Sequence, residues 1–379
     1  MKKCIIIPDS FKGTMSSIEV CEIMKSKLAV EFPNCSIITV PAADGGEGTV
    51  DCFLSALGGD KIRLMVKGPH LTDIPSFYGI IGETAVIEMA AAAGLHLAGE
   101  PMDPSTATTF GVGQLVSDAI TKGCKNIILG LGGSCTNDGG AGAAEALGAR
   151  FLNFCGTEFL PTGATLSQIA EIDLTELKQR LKGITVTAIC DIDNPVCGAN
   201  GAACVFASQK GADAEMISFL DDNLRVYVRN VQQLLDIDVG DLKGGGAAGA
   251  MGAGVYAFLG GELKPGIEVI LDFIHFDDLL EHCDYVFTGE GTLDQQSLRG
   301  KVVVGIGKRA KKKNVPVIAV VGFAEDGLDE IFQQGITRVF SATQMKMPLD
   351  VLRLRCKNDL SNTMHQAIAS IYQDEENSK

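Results

Sequence analysis

The chain contains no tryptophan, only five histidines, and aromatic residues at just 6% of 379 positions. It has no G-x-x-x-x-G-K-[ST], so it is not a P-loop protein. It has no H-E-x-x-H and no G-x-S-x-G. His70, His96, His275, His282 and His365 stand apart from one another. A histidine-based hydrolase or a zinc enzyme is therefore not expected. No C-x-x-C occurs among the twelve cysteines, which reads as reduced, mostly buried thiols in a cytoplasmic protein. No run of ~18 apolar residues exists to span a membrane. Met1-Lys2-Lys3 leads directly into an apolar strand, so no secretory signal is expected. Positive charge is also scarce. The net charge is −15, which argues against nucleic acid and anionic membranes as partners. Any anionic substrate must then be held by local features: a lysine, backbone amides or a metal ion.

Glycine and apolar residues are abundant, with 45 glycines and 46% hydrophobic residues. That suits a loop-rich α/β enzyme of about two domains. The glycines concentrate in GLGGSCTNDGGAGAAEALG, residues 130–148, where seven of nineteen residues are glycine. The apolar run Asn126–Leu129 before it reads as a buried strand. Asp138 stands where it could cap a small-residue helix over Gly139–Leu147, ended by Gly148. A strand, a glycine-rich turn and a helix N-terminus together form a site for anions such as phosphate, because unpaired N–H groups point outward there.

Cys4–Ile7 reads as a strand, followed by a loop from Pro8 to Gly13. Ser16 and Glu19 form a capping box, with Ile18, Cys21, Met24 and Leu28 as the apolar stripe of a helix. A second strand, Ser36–Val40, runs into PAADGGEG at 41–48 and a helix ended by Gly58-Gly59. This β-α-β-α start signals a parallel sheet. Lys61–Lys67, Ser76–Ile81 and Thr84–Met89 read instead as an antiparallel meander. A helix over Thr109–Thr121, a hairpin over 150–165, a helix boxed by Asp173 and Glu176, and a strand over Ile184–Cys190 follow. Ala214–Leu235 is expected to be the longest helix, with Met216, Leu220, Leu224, Tyr227, Val231 and Leu234 inward. Gly244–Gly261 reads as a closely packed helix. The parallel pattern returns with Asp284–Phe287, a helix from Lys301, strands Val315–Val321 and Thr337–Phe340, and a terminal helix Asp350–Tyr372. Asp374–Asn377 reads as a frayed tail. Gly305-Ile306-Gly307 falls inside a helix, the wrong context for a dinucleotide fingerprint. The expected architecture is a two-domain α/β protein. Residues 1–60 and 282–379 would form a doubly wound flavodoxin- or Rossmann-like parallel domain. Residues 61–281 would form an inserted mixed α/β domain, with the active site in the cleft between the two.

A carboxylate recurs in the loop after a strand: Asp9, Asp44 with Glu47, Asp138, Asp191 with Asp193, and Glu290 with Asp294. Ligands gather outside the carboxyl ends of parallel strands. Converging carboxylates repel unless a divalent metal or a cationic side chain sits among them. Carboxylates, Mg²⁺ and phosphates together are the usual arrangement for phosphoryl transfer. Lys12, in the first loop, can offset anionic charge. Lys210 and Lys301 are weaker candidates, since a surface lysine is ordinarily just solvated.

The loops 8–17, 41–49, 130–148, 190–195 (CDIDNP), 205–212 (VFASQKGA), 246–254 (GAAGAMGAG) and 287–301 (FTGEGTLDQQSLRGK) resemble, in order and spacing, the bacterial glycerate kinase family that lacks a P-loop. The resemblance spans nearly the whole chain. It departs from the family's habit at Cys135 and at Ala42-Ala43. It implies ATP- and Mg²⁺-dependent phosphorylation of D-glycerate by two α/β domains, with 2-phosphoglycerate favoured. Within that reading, Lys12 is assigned to the substrate carboxylate or transferred phosphoryl group, and Asp191 and Asp44 to the reacting hydroxyl. Asp9, Ser10 and Glu47 are assigned to substrate. Asp193, Glu290 and Asp294 are assigned to Mg²⁺. Gly132, Gly133, Ser134, Thr136, Asn137, Asp138 and Gly139 are assigned to the ATP phosphates. A homo-oligomer is left open. The alternatives are a Mg²⁺-dependent hydrolase or lyase acting on a phosphorylated sugar acid, and a small-anion binding protein.

Overall fold

The computed structural model describes the backbone of residues 1–377 apart from 44, 296 and 300; for residues 299 and 374–377 it describes the backbone alone. Asp44, one of the two groups assigned to the substrate hydroxyl, lies outside the described residues.

The strands are, in chain order, β1 (Lys3–Pro8), β2 (Ser36–Thr39), β3 (Asp60–Lys67), β4 (Asp73–Ile81) and β5 (Thr84–Glu88). Then come β6 (Asn126–Gly130), β7 (Arg150–Asn153), β8 (Ile169–Asp173), β9 (Thr185–Ile189) and β10 (Glu262–Lys264). The last four are β11 (Tyr285–Gly289), β12 (Thr292–Leu293), β13 (Val317–Ala324) and β14 (Ile336–Thr343). The chain divides into two compact units. One comprises Met1–Ala43, Ser55–Leu57 and Pro265–Lys379; the other comprises Gly58–Lys264 and the segment ending at Leu54.

The first unit is built on a parallel sheet ordered β12-β13-β11-β1-β2, with β14 also paired to β13. Cys4, Ile5, Ile6 and Ile7 are fully buried, as expected of a central parallel strand covered on both faces. The capping box at Ser16 and Glu19 is present, and Val20, Cys21, Met24 and Leu28 line the buried face of helix Ser17–Glu31. Leu360, Met364, Ala367, Ile368 and Ile371 of the terminal helix complete this core.

The second unit has a mixed sheet, β10-β9-β6-β5-β4-β3. β3, β4 and β5 form the antiparallel meander. β5, β6, β9 and β10 are parallel. All five residues of β5 are buried, whereas the edge strand β3 is mostly open. The loops after β5, β6 and β9 therefore leave the sheet at one edge.

Several local expectations are corrected. β7 pairs chiefly with β8 rather than closing a hairpin within 150–165, and only an isolated Leu152–Glu158 bridge remains of that hairpin. Non-local pairing wins because it adds a longer ladder. Helix Thr175–Arg180 starts from Leu174 without a side-chain cap; Asp173 instead accepts from the Thr175 amide. Helix Ala214–Leu235 has its expected bounds, capped by Asp213. The terminal helix, Leu349–Asn377, is longer at 29 residues and runs through the expected tail. Leu234, expected inward, is 40% exposed.

Candidate active site

Two glycine loops meet within the second unit. The Gly132 amide donates to the Gly45 carbonyl at 2.9 Å. A Cβ on Gly130 would lie 2.4 Å from that same oxygen, and one on Gly132 would lie 2.6 Å from the Gly46 Cα. Side chains at these positions would force the loops apart. The second loop leads into helix Thr49–Leu57, whose N-terminal cap, Gly48, is left-handed and offers no side chain. Glu88, at the carboxyl end of β5, supplies the missing acceptor: its Oε1 takes the Val50 amide at 2.7 Å. It is 2% exposed. Burial pushes its carboxyl up, while the Val50 and Gly48 amides oppose that. Sequence reasoning missed Glu88. The available signal was a single acid inside an otherwise apolar run, residues 85–93.

Residues 133–140 are held from several sides. Leu95 and Cys135 amides pair with the Gly133 and Ala93 carbonyls. The Tyr227 hydroxyl donates to the Gly139 carbonyl at 2.9 Å. The Gly139 amide donates to Gly249 at 3.0 Å. Gly249 belongs to a left-handed turn, Ala248-Gly249-Ala250, inside the segment expected to be a plain helix. A Cβ on Gly249 would lie 2.0 Å from the Thr136 carbonyl. Two alanines with positive φ are an uncommon strain, and such strain concentrates at functional sites.

Asp138 serves the helix N-terminus from two residues before the cap position rather than as the cap residue itself. That helix is only Ala141–Ala146, begun by a left-handed Gly140. The buried Asp138 carboxylate accepts from the Thr109 amide and hydroxyl at 2.7 and 2.8 Å. Gly140 and Gly142 amides add bonds of 3.2 and 3.3 Å. Burial raises its pKa against these donors. The helix N-terminus is thus already served by an internal carboxylate, and the anion-binding capacity lies in the turn before it. Among the described residues, the amides of Gly133, Ser134, Thr136, Asn137 and Asp138 reach no protein acceptor. Thr136 and Asn137 are fully buried. Thr136 Oγ1 and both polar atoms of the Asn137 side chain have no partner. Buried polar atoms are rarely left so; an oxygen-rich ligand would suit the two donors, Thr136 Oγ1 and Asn137 Nδ2, while Asn137 Oδ1 needs a donor such as water.

Lys210 lies against this turn. It is 2% exposed and donates to Ser134 Oγ at 3.0 Å and to the Thr136 carbonyl at 2.7 Å. The expectation of a solvated surface lysine is overturned, because the tertiary fold covers it. Asp191 and Asp193 follow β9, the strand beside β6, and both are exposed. Glu47 is exposed as well.

In the first unit, the Asp9 amide donates to the Gly289 carbonyl at 2.8 Å, tying the loop after β1 to the end of β11. The Ser10 amide donates to Asp9 Oδ1. Lys12 is exposed in the same loop. Glu290 is only 4% exposed, and its Oε1 has no partner among the described residues. Burial raises its pKa to about 7; Asp9 and Asp294 add to the rise, while Ser297 and Lys301 oppose it. Asp294 accepts from the Ser297 amide at 3.0 Å. The fold thus brings Asp9, Glu290 and Asp294 into electrostatic range of one another. Among the described residues, no three His, Cys, Asp or Glu side chains gather closely enough to hold a metal ion by themselves. An orphaned carboxylate oxygen among acids still fits Mg²⁺, which usually binds through one or two carboxylates together with substrate phosphates.

A family model described as the glycerate kinase family matches residues 4–372. A glycerate kinase of Bacillus cereus is 44% identical over 351 residues, covering 92% of each chain. A glycerate 2-kinase of Escherichia coli K12 is 43% identical, covering 89% of this chain and 90% of its own. A crystal structure from Salmonella typhimurium LT2, of a protein provisionally named glycerate kinase 2, superposes with a TM-score of 0.86 at 38% identity over 99% of both chains.

Proposed function

This chain belongs to the glycerate kinase family, and from that premise we propose that it transfers the γ-phosphoryl group of ATP to a hydroxyl of D-glycerate with Mg²⁺. The observation that carries this reading is the turn Gly133–Asp138, with its unengaged amides and the orphaned Thr136 and Asn137 side chains. That turn is suited to phosphate oxygens, which accept from several donors at once. The E. coli relative's name supports the 2-hydroxyl as acceptor. All twelve cysteines are free, which supports a reducing, cytoplasmic setting. No described helix is long and apolar enough to cross a membrane.

In this reading Gly132, Gly133, Ser134, Thr136, Asn137 and Gly139 hold the nucleotide phosphates. Asp138 contributes its amide, while its carboxylate fixes the turn. Lys12 offsets charge on the glycerate carboxylate or the transferred group, and Asp9, Ser10 and Glu47 orient the substrate. Asp191 accepts the proton of the attacking hydroxyl, a role also assigned to Asp44. Glu290 and Asp294 would hold Mg²⁺, which supplies charge neutralisation on the phosphates; Asp193, in the second unit, is a separate acid assigned to the metal.

The test is ADP release from ATP by purified protein with Mg²⁺ and D-glycerate, with L-glycerate, no acid and EDTA as controls. Turnover dependent on D-glycerate and sensitive to EDTA is expected, and phosphorus NMR of the product should show 2-phosphoglycerate. Well-folded protein that consumes no ATP, but cleaves a phosphorylated sugar acid, would sink the kinase reading in favour of a hydrolase or lyase.

A further inference from the structure

A lysine seldom sits fully inside a protein, because its ammonium must replace all of its hydration. Lys210 does so directly against the phosphate turn. An ammonium has three donors. Two are used, on Ser134 Oγ and on the Thr136 carbonyl. The third has no acceptor among the described residues. The two bonded groups flank Cys135 and lie in the same short turn as the orphaned Thr136 hydroxyl and Asn137 amide. A neutral, fully satisfied side chain could brace that turn without the desolvation. The charge is therefore the informative part.

We propose that Lys210 is a positioning residue of the nucleotide site: its ammonium sets the shape of the Ser134–Thr136 turn and gives an otherwise acidic protein a fixed positive charge beneath the phosphates. This inference rests on the kinase reading of the same turn. The groups facing Lys210 are Cys135 and Asp138. The Cys135 thiol is pushed up to about 11 and stays neutral through the working range. The Asp138 carboxylate is occupied by Thr109, Gly140 and Gly142. Burial brings Lys210 itself down to about 8, so the empty site holds a partly neutral amine on the alkaline side. A bound polyphosphate favours the ammonium. Binding above pH ~8 must then take up a proton, and affinity must fall with rising pH by at most about tenfold per unit.

The experiment is calorimetric titration of the whole chain with Mg-ADP from pH 6.5 to 9.5, in buffers of different ionisation heat. The wild type should take up close to one proton near pH 9, whereas at pH 6.5, where Lys210 is already charged, the only linked proton should be the one Glu290 releases to Mg²⁺. Lys210→Met should bind at least about 30-fold more weakly at pH 7, as expected when one member of a buried charged contact is removed, and should show no alkaline proton uptake. Its KM for ATP should rise far more than its KM for D-glycerate. Lys210→Arg should recover part of the affinity and move the alkaline limb out of range. If Lys210→Met does not fold, Lys210→Arg decides: it keeps a charge against the Ser134–Thr136 turn and should retain Mg-ADP binding up to pH 9.5 where the wild type loses it. Wild-type binding that is independent of pH and proton-neutral, or a folded Lys210→Met with the wild-type profile, would overturn the proposal. Absence of any nucleotide binding by the wild type would instead overturn the kinase reading, and this inference with it.

Discussion

The two units carry loops of opposite chemical character. In the second unit the loop after β6 collects donors: free backbone amides, an orphaned amide side chain and a buried ammonium. Its one buried carboxylate, Asp138, is neutralised by protein donors. In the first unit the loops after β1 and β11 collect acceptors: Asp9, Glu290 and Asp294, with Glu290 held partly protonated by burial and by its neighbours. The first arrangement carries its own cation, Lys210, beside the positive ends of its glycine backbone. The second gathers acids whose mutual repulsion helps to raise the Glu290 carboxyl, a setting that a divalent cation would relieve. The difference shows that a net charge of −15 says little about either site, since each is set by a handful of local groups.

The most damaging change should fall on the donor-rich side. Gly249→Val places a side chain against the Thr136 carbonyl at a left-handed position. Overpacking combined with backbone strain should cost about 2–4 kcal/mol of stability and lower kcat/KM for ATP by at least ~100-fold. Thermal melting and steady-state kinetics measure both, and a stable, active variant would mean that the turn is not set by this contact. Asp191→Asn probes whether an exposed acid on this side does chemistry. It should reduce kcat by roughly 10²–10⁴-fold with KM for D-glycerate nearly unchanged; a normal kcat would remove Asp191 from proton transfer.

Glu290→Gln sharpens the acid-rich side. In the wild type the Mg²⁺ concentration for half-maximal rate should fall as pH rises through about 7, because the ionised carboxylate is the better ligand. The variant should need roughly tenfold more Mg²⁺ and lose that pH dependence. The stability sign is opposite. Since folding raises this carboxyl from 4.5 to about 7, the folded state binds the extra proton. The wild type therefore loses stability as pH rises from about 4.5 to 7, and Glu290→Gln should gain up to ~3 kcal/mol at pH 8 relative to pH 4. Urea melts of both proteins at the two pH values read this directly. The smallest effect serves as a control: Ser16→Ala removes half of a capping box and should cost ~1 kcal/mol with kinetics unchanged.

Local chemistry was readable from the sequence. The Ser16–Glu19 box, the apolar run of β1, the β3–β5 meander and the bounds of Ala214–Leu235 all depend on neighbours a few residues apart. The loops that resemble the glycerate kinase family were legible for the same reason. What was lost depends on distant partners. Lys210 looks like any hydrophilic lysine until the turn 134–136, more than seventy residues away, covers it. Glu88 acquires its role only by facing an uncapped helix forty residues earlier. Asp138 has cap-like spacing, but Thr109 lays prior claim to its oxygens. No pattern in GAAGAMGAG announces that alanines on either side of Gly249 turn left-handed.

The split course of the first unit has a consequence for synthesis. β1 sits between β2 and β11, yet β11 begins only at Tyr285. A ribosome adding roughly 5–20 residues per second needs at least ~10 s between the two. During that interval the Cys4–Ile7 run lacks the strand that will cover one of its edges. The second unit, whose last residue is Lys264, is fully synthesised before β11 and is free to fold first. Nascent chains of this protein should therefore depend on holding factors for their first forty residues rather than for their glycine-rich middle.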